Sequence, residues 1–270
     1  MPLAVCATPI GNLGDVTLRV LAELREADLV LCEDTRRTRI LLDRHGIAAR
    51  LTSYHRLNEA ARAAGVLRRL EAGERVALVS DAGLPGVNDP GRRLIRAAIE
   101  AGLPVQVLPG PSAVETALVA SGLVGDAYRF VGYLPRRGPE RAALAEELSR
   151  WRDAVVAFES PRRLAGSLAA LATAMPDRPA AVCRELTKRF EEVARGSLAE
   201  LATRFAEPAR GEITLVIGVE ETSIGTSHAA DEARRAVAEL MEAGVRRRQA
   251  VDVVARLTGR SRNALYRDSL

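Results

Sequence analysis

The sequence predicts an α/β protein with two successive sheet-and-helix domains and a short helical C-terminal tail. Short apolar runs of strand character alternate with amphipathic helical runs through the first 120 residues, and this alternation indicates a mostly parallel sheet covered on both faces. Further along the chain the strand-like runs lie closer together, which favours hairpins and a mixed sheet. After residue 229 only helix signals remain.

The first domain is predicted at residues 1–123. Its strands are predicted at residues 3–8, 29–32, 50–54, 75–79 and 105–108. Its helices are predicted at residues 18–25, 35–44, 58–70, 92–101 and 112–120. The segment Ala101-Gly102-Leu103-Pro104 ends one helix and leads directly into a strand, because Gly favours a helix C-terminus and Pro cannot continue the helix.

The second domain is predicted at residues 124–219. Its strands are predicted at residues 128–134, 154–158, 180–185, 191–195 and 213–219, and its helices at residues 140–151, 161–174 and 198–205. A linker is predicted at residues 220–229, where Thr, Ser and Gly cluster. The basic tail at residues 230–270 has helical runs at 247–257 and 262–266 on either side of a Gly-containing turn, which is the outline of a helix-turn-helix.

Charge is distributed unevenly along the chain. Lys188 is the only lysine among 39 basic residues, and the formal net charge is +4. Residues 244–270 carry seven arginines against two aspartates, so the rest of the chain is slightly acidic. A basic terminal segment suits contact with a nucleic acid, because phosphate neutralisation supplies much of such affinity. A solvated amphipathic helix is the alternative.

The cysteines and the hydropathy pattern exclude several classes of protein. Cys6, Cys32 and Cys183 are far apart and form no CxxC or Cys/His cluster, so we expect buried thiols, no disulfide framework and no metal site. We expect no signal peptide, because a predicted strand begins almost at the first residue, and no apolar run reaches transmembrane length. We therefore expect a cytoplasmic protein with no membrane partner.

The segment from Ser80 to Gly91 is the strongest indication of a binding site. It follows a predicted strand, precedes a predicted helix and contains three glycines, two prolines and two aspartates. This composition cannot form a regular element, since Gly permits backbone angles that other residues avoid and Pro fixes φ. Open α/β sheets bind ligands in irregular loops at the carboxyl ends of strands. A tight turn without a ligand is the alternative.

Three further junctions lie at predicted strand ends. Residues 8–17 lack both a P-loop lysine and the G-x-G-x-x-G spacing, and Asp15 or Thr17 can simply cap the next helix. Residues 109–113 open a helix whose first amides can bind a carboxylate or can be capped. At residues 33–38, acidic side chains suit the helix dipole, while two adjacent arginines could meet a phosphate.

The second domain contributes one titratable pair of interest. Lys188 follows Glu185 at a predicted strand end and is a candidate proton acceptor if its pKa is lowered. An exposed ion pair of little energetic weight is the alternative. No Ser/His/Asp set has suggestive spacing, and the three histidines stand alone.

Eight segments taken in order resemble the tetrapyrrole-methylase superfamily. They are ATPIGNLGDVT at 7–17, CEDTRRT at 32–38, SDAGLPGVNDPG at 80–91, LPGPSA at 108–113, FVGYLPR at 130–136, ESPRRL at 159–164, CRELTK at 183–188 and GEITLVIG at 211–218. Within the superfamily they resemble the bacterial enzymes that methylate the ribose 2′-hydroxyl of a cytidine in the decoding region of 16S rRNA. The resemblance runs from the first strand to Leu270.

The resemblance implies a homodimer that holds S-adenosylmethionine in a cleft between the two domains. Its substrate would be 16S rRNA, free or within the small ribosomal subunit. The cofactor-binding residues that it implies are Pro9, Ile10, Gly11, Ser80, Asp81, Gly83, Leu84, Val87, Ser112, Ala113, Phe158 and Glu159.

Methylation of a ribose hydroxyl would need help with the proton, because the hydroxyl is a poor acid. Lys188, Glu185 and Asp34 are the candidate bases. A ribose can enter a cleft only where the RNA is locally single-stranded. The arginines expected to meet RNA are Arg36, Arg37, Arg136 and Arg137, together with Arg246, Arg247, Arg248, Arg260 and Arg262 in the tail.

Three other functions fit parts of the pattern. A C-methyltransferase for uroporphyrinogen or a precorrin would share the fold and cofactor, but a small macrocycle has no need of a basic tail. A non-catalytic RNA-binding protein would leave three loops of ligand-binding type without a role. A nucleotide hydrolase is disfavoured by the missing Walker lysine.

Overall fold

The structure is a computed structural model that describes residues 2–219, 228–258, 262, 265 and 266. The chain divides into two compact units, Met1–Val219 and Glu220–Leu270. The first unit contains two five-stranded sheets, and the described part of the second is helical. None of the helices in these residues has the length and apolar content needed to cross a bilayer.

The first sheet is parallel throughout, as its apolar runs predict. Its strands are β1 (Leu3–Cys6), β2 (Leu29–Cys32), β3 (Leu51–Ser53), β4 (Val76–Val79) and β5 (Val105–Leu108). They are ordered β3-β2-β4-β1-β5. Every residue of β1, β2 and β4 is buried, because helices cover both faces of the sheet.

The helices of this first half follow the predicted order. They are α1 (Leu18–Glu26), α2 (Thr35–Arg44), α3 (Glu59–Glu71), α4 (Arg92–Glu100) and α5 (Ala113–Ser121), with a short 3-10 helix at Leu13–Asp15. Thr17 caps α1 by accepting a hydrogen bond from the main-chain N–H of Val20, which confirms one of the two predicted caps. Leucines of α1 and α2 pack on one face of the sheet, and leucines of α3 and α4 pack on the other.

The second sheet is mixed, as predicted. Its strands are β6 (Tyr128–Tyr133), β7 (Ala154–Glu159), β8 (Pro179–Arg184), β9 (Glu192–Ser197) and β10 (Ile213–Ile217), in the order β6-β7-β10-β8-β9. Only β6 and β7 are parallel. Helices α6 (Gly138–Ser149), α7 (Leu164–Ala174) and α8 (Leu198–Arg204) cover one face through a leucine-rich core.

Helix α5 covers the opposite face of this second sheet, although it precedes residue 123 in the chain. Val114, Ala117 and Leu118 pack with Val156 and Val216. Helix α5 therefore packs against strands of the second half, and residues 1–219 form one compact unit. The boundary at 123/124 stays a prediction.

The second unit contains α9 (His228–Glu242) and α10 (Arg247–Thr258). Gly244, with φ of +84°, lies in the turn between them, where a left-handed conformation favours Gly. Residues 228–229, the last two of the predicted linker, belong to α9, and the bounds of the linker stay a prediction. Residues 262, 265 and 266 are helical. Thr258, the first residue of the turn predicted at 258–261, ends α10, and the other three residues of that turn lie outside the described residues.

Candidate active site

Three loops meet at the carboxyl edge of the first sheet. They follow β1, β4 and β5, and β1 lies between the other two strands, so the loops are neighbours. The main chains of Thr8 and Gly83 exchange hydrogen bonds of 2.8 and 3.0 Å. Gly83 has φ of +77°, an angle that other residues rarely adopt. The loop composition thus allows two stretches of irregular backbone to approach each other closely.

A cavity of about 880 Å³ lies between these loops and the second sheet. One wall contains Ile10 and the segments 82–84, 87–89 and 109–113, while the other contains side chains of the second sheet. This volume falls in the range of small-molecule and cofactor sites. The segment around Asp81 therefore lies beside an open cleft and is not packed shut.

The N-terminus of α5 faces the cavity. Ala113, Val114 and Glu115 line it, and the Ser112 side chain makes no capping hydrogen bond to the helix. The Ser112 hydroxyl donates to the Glu115 carboxylate instead, and the Tyr128 hydroxyl donates to the same group over 2.7 Å. Burial raises the pKa of Glu115, but these two hydrogen bonds outweigh burial and the net shift is downward. Glu115 therefore stays ionised at the cavity wall.

Aromatic side chains line the second-sheet wall. The rings of Phe130 and Phe158 pack edge-to-face with centroids 4.9 Å apart, and Tyr133 packs on Phe158 at 5.6 Å. All three line the cavity. The result is an apolar patch on which a flat ligand can lie.

Glu159 lies fully buried at the end of β7. Its carboxylate forms an ion pair with the Arg163 guanidinium at 2.5 Å. It also accepts hydrogen bonds from the Ser160 main-chain N–H at 2.6 Å and from the Ser167 hydroxyl. Arg163 also donates to the Leu134 carbonyl. The buried charge is therefore paired and hydrogen-bonded, as burial requires, and the pair fixes the end of β7 at the cavity.

Lys188 lies in a strained turn after β8. Glu185 and Thr187 have φ of +52° and +64°, conformations that are uncommon for residues other than Gly. The Lys188 ammonium donates to Glu185 and Glu212, both at 2.9 Å. A Cβ on Gly11 would lie 2.6 Å from the Lys188 side chain and 2.8 Å from a carbonyl of the turn. Gly11 thus lets the loop after β1 touch this turn.

Lys188 was predicted to act as a base only if its pKa were lowered, and its pKa is not lowered. Burial lowers the pKa of the ammonium, but the hydrogen bonds to Glu185 and Glu212 outweigh burial, and the pKa of Lys188 is raised. The pKa of Glu185 is lowered, first by the Glu212 main-chain N–H and then by Lys188. Lys188 is therefore an ammonium that holds two carboxylates, because its partners compensate for its partial burial.

Asp34 lies at the rim of the first sheet, at the start of α2. Its carboxylate accepts hydrogen bonds from the Arg36 guanidinium and main-chain N–H, and these bonds lower the pKa of Asp34 to about 2. Its own main-chain N–H donates to Asp81, which also faces Arg37 at 3.7 Å. The structure therefore joins Asp34 to Asp81 and to the rim arginines. Lys188 and Glu185 form the separate cluster with Glu212.

Asp89 adds a third carboxylate to this rim and lines the cavity. Burial, followed by the nearby charges of Glu33 and Asp81, raises the pKa of Asp89 to about 6. Burial and Asp81 also raise the pKa of Glu33. The first-sheet rim beside the cavity is therefore acidic, although Arg56 and Arg37 lie close enough to oppose the shift of Glu33.

Eight of the twelve residues predicted to bind the cofactor line the cavity. They are Ile10, Gly83, Leu84, Val87, Ser112, Ala113, Phe158 and Glu159. The other four, Pro9, Gly11, Ser80 and Asp81, lie within two residues of lining positions along the chain. Ser80 is buried, and its hydroxyl donates to the carbonyls of Ala82 and Gly83, so its role is to hold the loop.

Sequence reasoning missed several lining residues. Asp89, Glu115, Tyr128, Tyr133 and Glu212 all reach the cavity. Three of them, Asp89, Tyr133 and Glu212, belong to segments already singled out by the resemblance, SDAGLPGVNDPG, FVGYLPR and GEITLVIG. The rarity of aromatic residues in this chain was the available signal for the tyrosines.

The predicted RNA-contacting arginines lie at the surface where they are described. Arg36 and Arg37 are exposed at the first-sheet rim, and Arg136 and Arg137 are exposed before α6. In the second unit Arg246, Arg248 and Arg262 are exposed, while Arg247 is half-buried and donates to the Tyr266 carbonyl. Arg260 lies outside the described residues. Nothing in the structure tests a role in RNA binding for any of them.

The three cysteines are buried, as predicted. Burial raises the pKa of Cys6 to about 12 and that of Cys183 to about 11, so both thiols are protonated at neutral pH. Cys183 nevertheless lines the cavity. Across the described residues, no group of three or more His, Cys, Asp or Glu side chains is placed to hold a metal ion.

Comparison with known proteins gives the class to which this fold and cavity belong. The sequence pattern of the Tetrapyrrole (Corrin/Porphyrin) Methylases matches residues 2–202. The methyltransferase CobJ superimposes with a TM-score of 0.62 at 22% identity, over 81% of this chain and 94% of that one. Diphthine synthase also gives a TM-score of 0.62, at 15% identity over 82% of this chain and 90% of its own. These structures show the same fold.

Closer relatives narrow the class. A "Ribosomal RNA small subunit methyltransferase I" from Mesorhizobium japonicum is 44% identical over 98% of this chain and 90% of its own length. One from Mycobacterium tuberculosis is 45% identical over 94% of this chain and 88% of its own. Residues 227–268 match the RsmI C-terminal HTH domain. The chain belongs to the tetrapyrrole methylase family and, within it, to the ribosomal RNA small subunit methyltransferase I group.

Proposed function

We propose that this protein transfers a methyl group from S-adenosylmethionine to the ribose 2′-hydroxyl of a cytidine in 16S rRNA. The observation that carries this proposal is the 880 Å³ cavity, in which irregular loops of a parallel sheet face an aromatic wall. Relatives more than 40% identical carry the name of a small-subunit rRNA methyltransferase. Their printed name supports the RNA substrate, and the choice of a cytidine ribose follows the resemblance of the motifs.

The residues of the cavity suit the cofactor. The first turn of α5 offers main-chain amides at Ala113 and Val114, without a side-chain cap from Ser112, and such amides favour a carboxylate. Ile10 and Leu84 provide apolar surface, and Gly83 brings bare main chain to the wall. When bound, S-adenosylmethionine supplies an electrophilic methyl group on a sulfonium.

The proton of the ribose hydroxyl needs an acceptor, and the directions of the pKa shifts favour some of the three candidates over others. Lys188 has a raised pKa, so its ammonium would orient carboxylates or the substrate and would not take a proton first. Glu185 and Asp34 have lowered pKa values and are ionised, so either can accept a proton. We assign Lys188 the role of holding Glu185 beside the cleft, with Glu185 as acceptor before Asp34.

RNA would be drawn to the arginines at the rim and in the second unit. The exposed side chains of Arg36, Arg37, Arg136 and Arg137 can meet phosphates. The match of residues 227–268 to a helix-turn-helix domain supports a nucleic-acid contact for Arg246, Arg248 and their neighbours. A homodimer and a cytoplasmic location remain part of this proposal.

The test is methylation of small ribosomal subunits purified from a strain that lacks the gene. Subunits, protein and S-adenosylmethionine are incubated, and the 16S rRNA is digested and mapped by mass spectrometry. We expect one added methyl group, on the ribose of a cytidine. The variant Ala113→Phe, which fills part of the cavity, is the control that should methylate poorly. A methyl group on a base, or no methyl group at all with correctly folded protein, would overturn the proposal.

A further inference from the structure

Aromatic residues are scarce in this chain and concentrate at one place. The sequence contains four Tyr, four Phe and one Trp. Four of these nine residues line the cavity: Tyr128, Phe130, Tyr133 and Phe158. Tyr128 is engaged with Glu115 through its hydroxyl. The other three rings form one contiguous patch, and only Phe158 among them was predicted to contact the cofactor.

Tyr133 is directed into the cleft by a β-bulge. In a regular strand, residues 130 and 133 point to opposite faces, because side chains alternate. The pairing of β6 with β7 shifts between Phe130, which lies opposite Val156, and Tyr133, which lies opposite Phe158. Three residue steps along β6 therefore correspond to two along β7. Gly132 has φ of +70° within this shift. The bulge thus brings both rings onto Phe158, and bulges of this kind re-aim side chains beside active sites.

The same bulge requires a small residue at 132. A Cβ there would lie 3.2 Å from the Asn88 side chain, and Asn88 itself has φ of +65°. Asn88 belongs to the loop after β4 and lines the cavity. The ring of Tyr133 is therefore presented where the first-sheet loop meets the second sheet.

Tyr133 combines a rigid backing with an open face. Residue Tyr133 is 58% exposed, and its ring packs edge-to-face against Phe158 with centroids 5.6 Å apart. A large exposed ring inside a cleft leaves apolar surface in contact with water, which is unfavourable unless a ligand covers the ring. Burial and the charges of Glu212, Asp89 and Glu159, opposed by Arg163, raise the pKa of its hydroxyl. Tyr133 therefore lies near Glu212, which holds Lys188.

We infer that Tyr133, backed by Phe158, is the surface on which the base of the target nucleotide stacks when its ribose enters the cleft. The inference rests on the proposed function. Aromatic faces are the usual support for unstacked bases in single-stranded RNA. Glu212 lines the same cavity as Tyr133 and is joined through Lys188 to Glu185, so a base on Tyr133 would bring its ribose toward the proposed proton acceptor. The face accepts any base, so it supplies affinity and orientation.

The test compares Tyr133→Ala, Tyr133→Phe and Tyr133→Leu with the unchanged protein. Methylation is followed with small subunits lacking the modification, and S-adenosylmethionine binding is measured by calorimetry. Stacking on an aromatic residue changes affinity enough that we expect Tyr133→Ala to raise KM for subunits about tenfold or more. Tyr133→Leu should resemble the Ala variant, because it keeps apolar area but has no π-face. Tyr133→Phe should stay within about twofold.

Affinity for S-adenosylmethionine should change by less than about twofold in all three variants. We expect all three variants to fold, because Tyr133 is exposed, and thermal unfolding checks this. The inference is wrong if the Ala variant keeps its KM for subunits, or if Phe loses as much as Ala. It is also wrong if cofactor affinity falls by the same factor as KM rises, because the ring would then hold the adenine of the cofactor. Failure of the unchanged protein to methylate subunits would instead count against the proposed function.

Discussion

Replacing Glu159 by Gln tests whether its buried ion pair with Arg163, at the end of β7, stabilises the second sheet and its helices. The Glu159 side chain has no solvent exposure, whereas that of Arg163 is 23% exposed. Gln keeps the size of the side chain but removes its charge. It also turns an NH2 group toward either the Arg163 guanidinium or one of the two other donors, Ser160 and Ser167.

The magnitude follows from what remains after the change. Removing one partner of a fully buried ion pair costs about 3–5 kcal/mol. Arg163 is partly exposed and keeps its hydrogen bond to the Leu134 carbonyl at 3.1 Å, so its charge is not left wholly without compensation. We therefore expect a loss of about 2–3 kcal/mol in the free energy of unfolding, or about 4–12 °C in Tm.

The assay is chemical unfolding followed by the fluorescence of Trp151, the only tryptophan. Trp151 packs against the core of the second sheet, so its signal reports the region that contains Glu159. The matched control is Glu140→Gln, since Glu140 and Arg137 form an exposed pair 3.6 Å apart. The control should change stability by at most about 0.5 kcal/mol. If the Glu159 variant unfolds within that same margin, the pair contributes nothing and the reasoning is refuted.

Three further predictions concern charge. Asp89→Asn should stabilise the protein by about 0.5–1 kcal/mol at pH 8, allowing for its partial exposure, and should be neutral near pH 4. The sign follows because the pKa of Asp89 is about 6 when folded and 3.8 ordinarily. The folded protein therefore loses stability as the pH rises from about 4 to 6, and the full penalty is present above pH 6. Thermal unfolding at pH 4 and pH 8 checks this. Lys188→Met should lower kcat at least tenfold with saturating cofactor, about 1.4 kcal/mol of barrier, because Glu185 loses the ammonium that holds it in place. The pH profile of the unchanged protein gives the opposing outcome. A kcat that rises tenfold per pH unit from 7 to 9 would identify neutral Lys188 as the base. Arg246→Gln with Arg248→Gln should flatten the salt dependence of subunit binding by a slope of about 1 to 2, and an unchanged slope in filter-binding titrations would remove these arginines from the RNA contact.

The regular elements could be predicted because local signals agree with the fold. The strands β2 and β5 and the helix α2 begin and end at the predicted residues. These strands are apolar runs of four residues and the helix has a periodic apolar pattern, so local sequence predicts them without information about tertiary contacts. Other boundaries differ by one to three residues, mostly at strand ends and helix caps, where pairing and capping decide the last residue.

The candidate site could be predicted only as a set of loops. Glycine and proline in residues 80–91 indicated an irregular binding loop, and the structure brings eight of the twelve predicted cofactor residues to one cavity. The charge state of Lys188 could not be predicted, because Glu212 is 24 residues away in sequence and meets the ammonium only after β10 pairs with β8. The orientation of Tyr133 depends likewise on a shift in strand pairing.

By itself the sequence determined the α/β class, the order of the elements, the irregular glycine-rich loops at the strand ends and the basic segment at residues 244–270. These properties depend on residues close together in the chain, where backbone preference and hydrophobic periodicity act. Only the tertiary structure decided that α5 packs on the second sheet, that Glu159 lies buried against Arg163 and that the aromatic rings form one patch. Those arrangements depend on contacts between distant segments, and the burial, pKa and exposure of a side chain are properties of its neighbours in space.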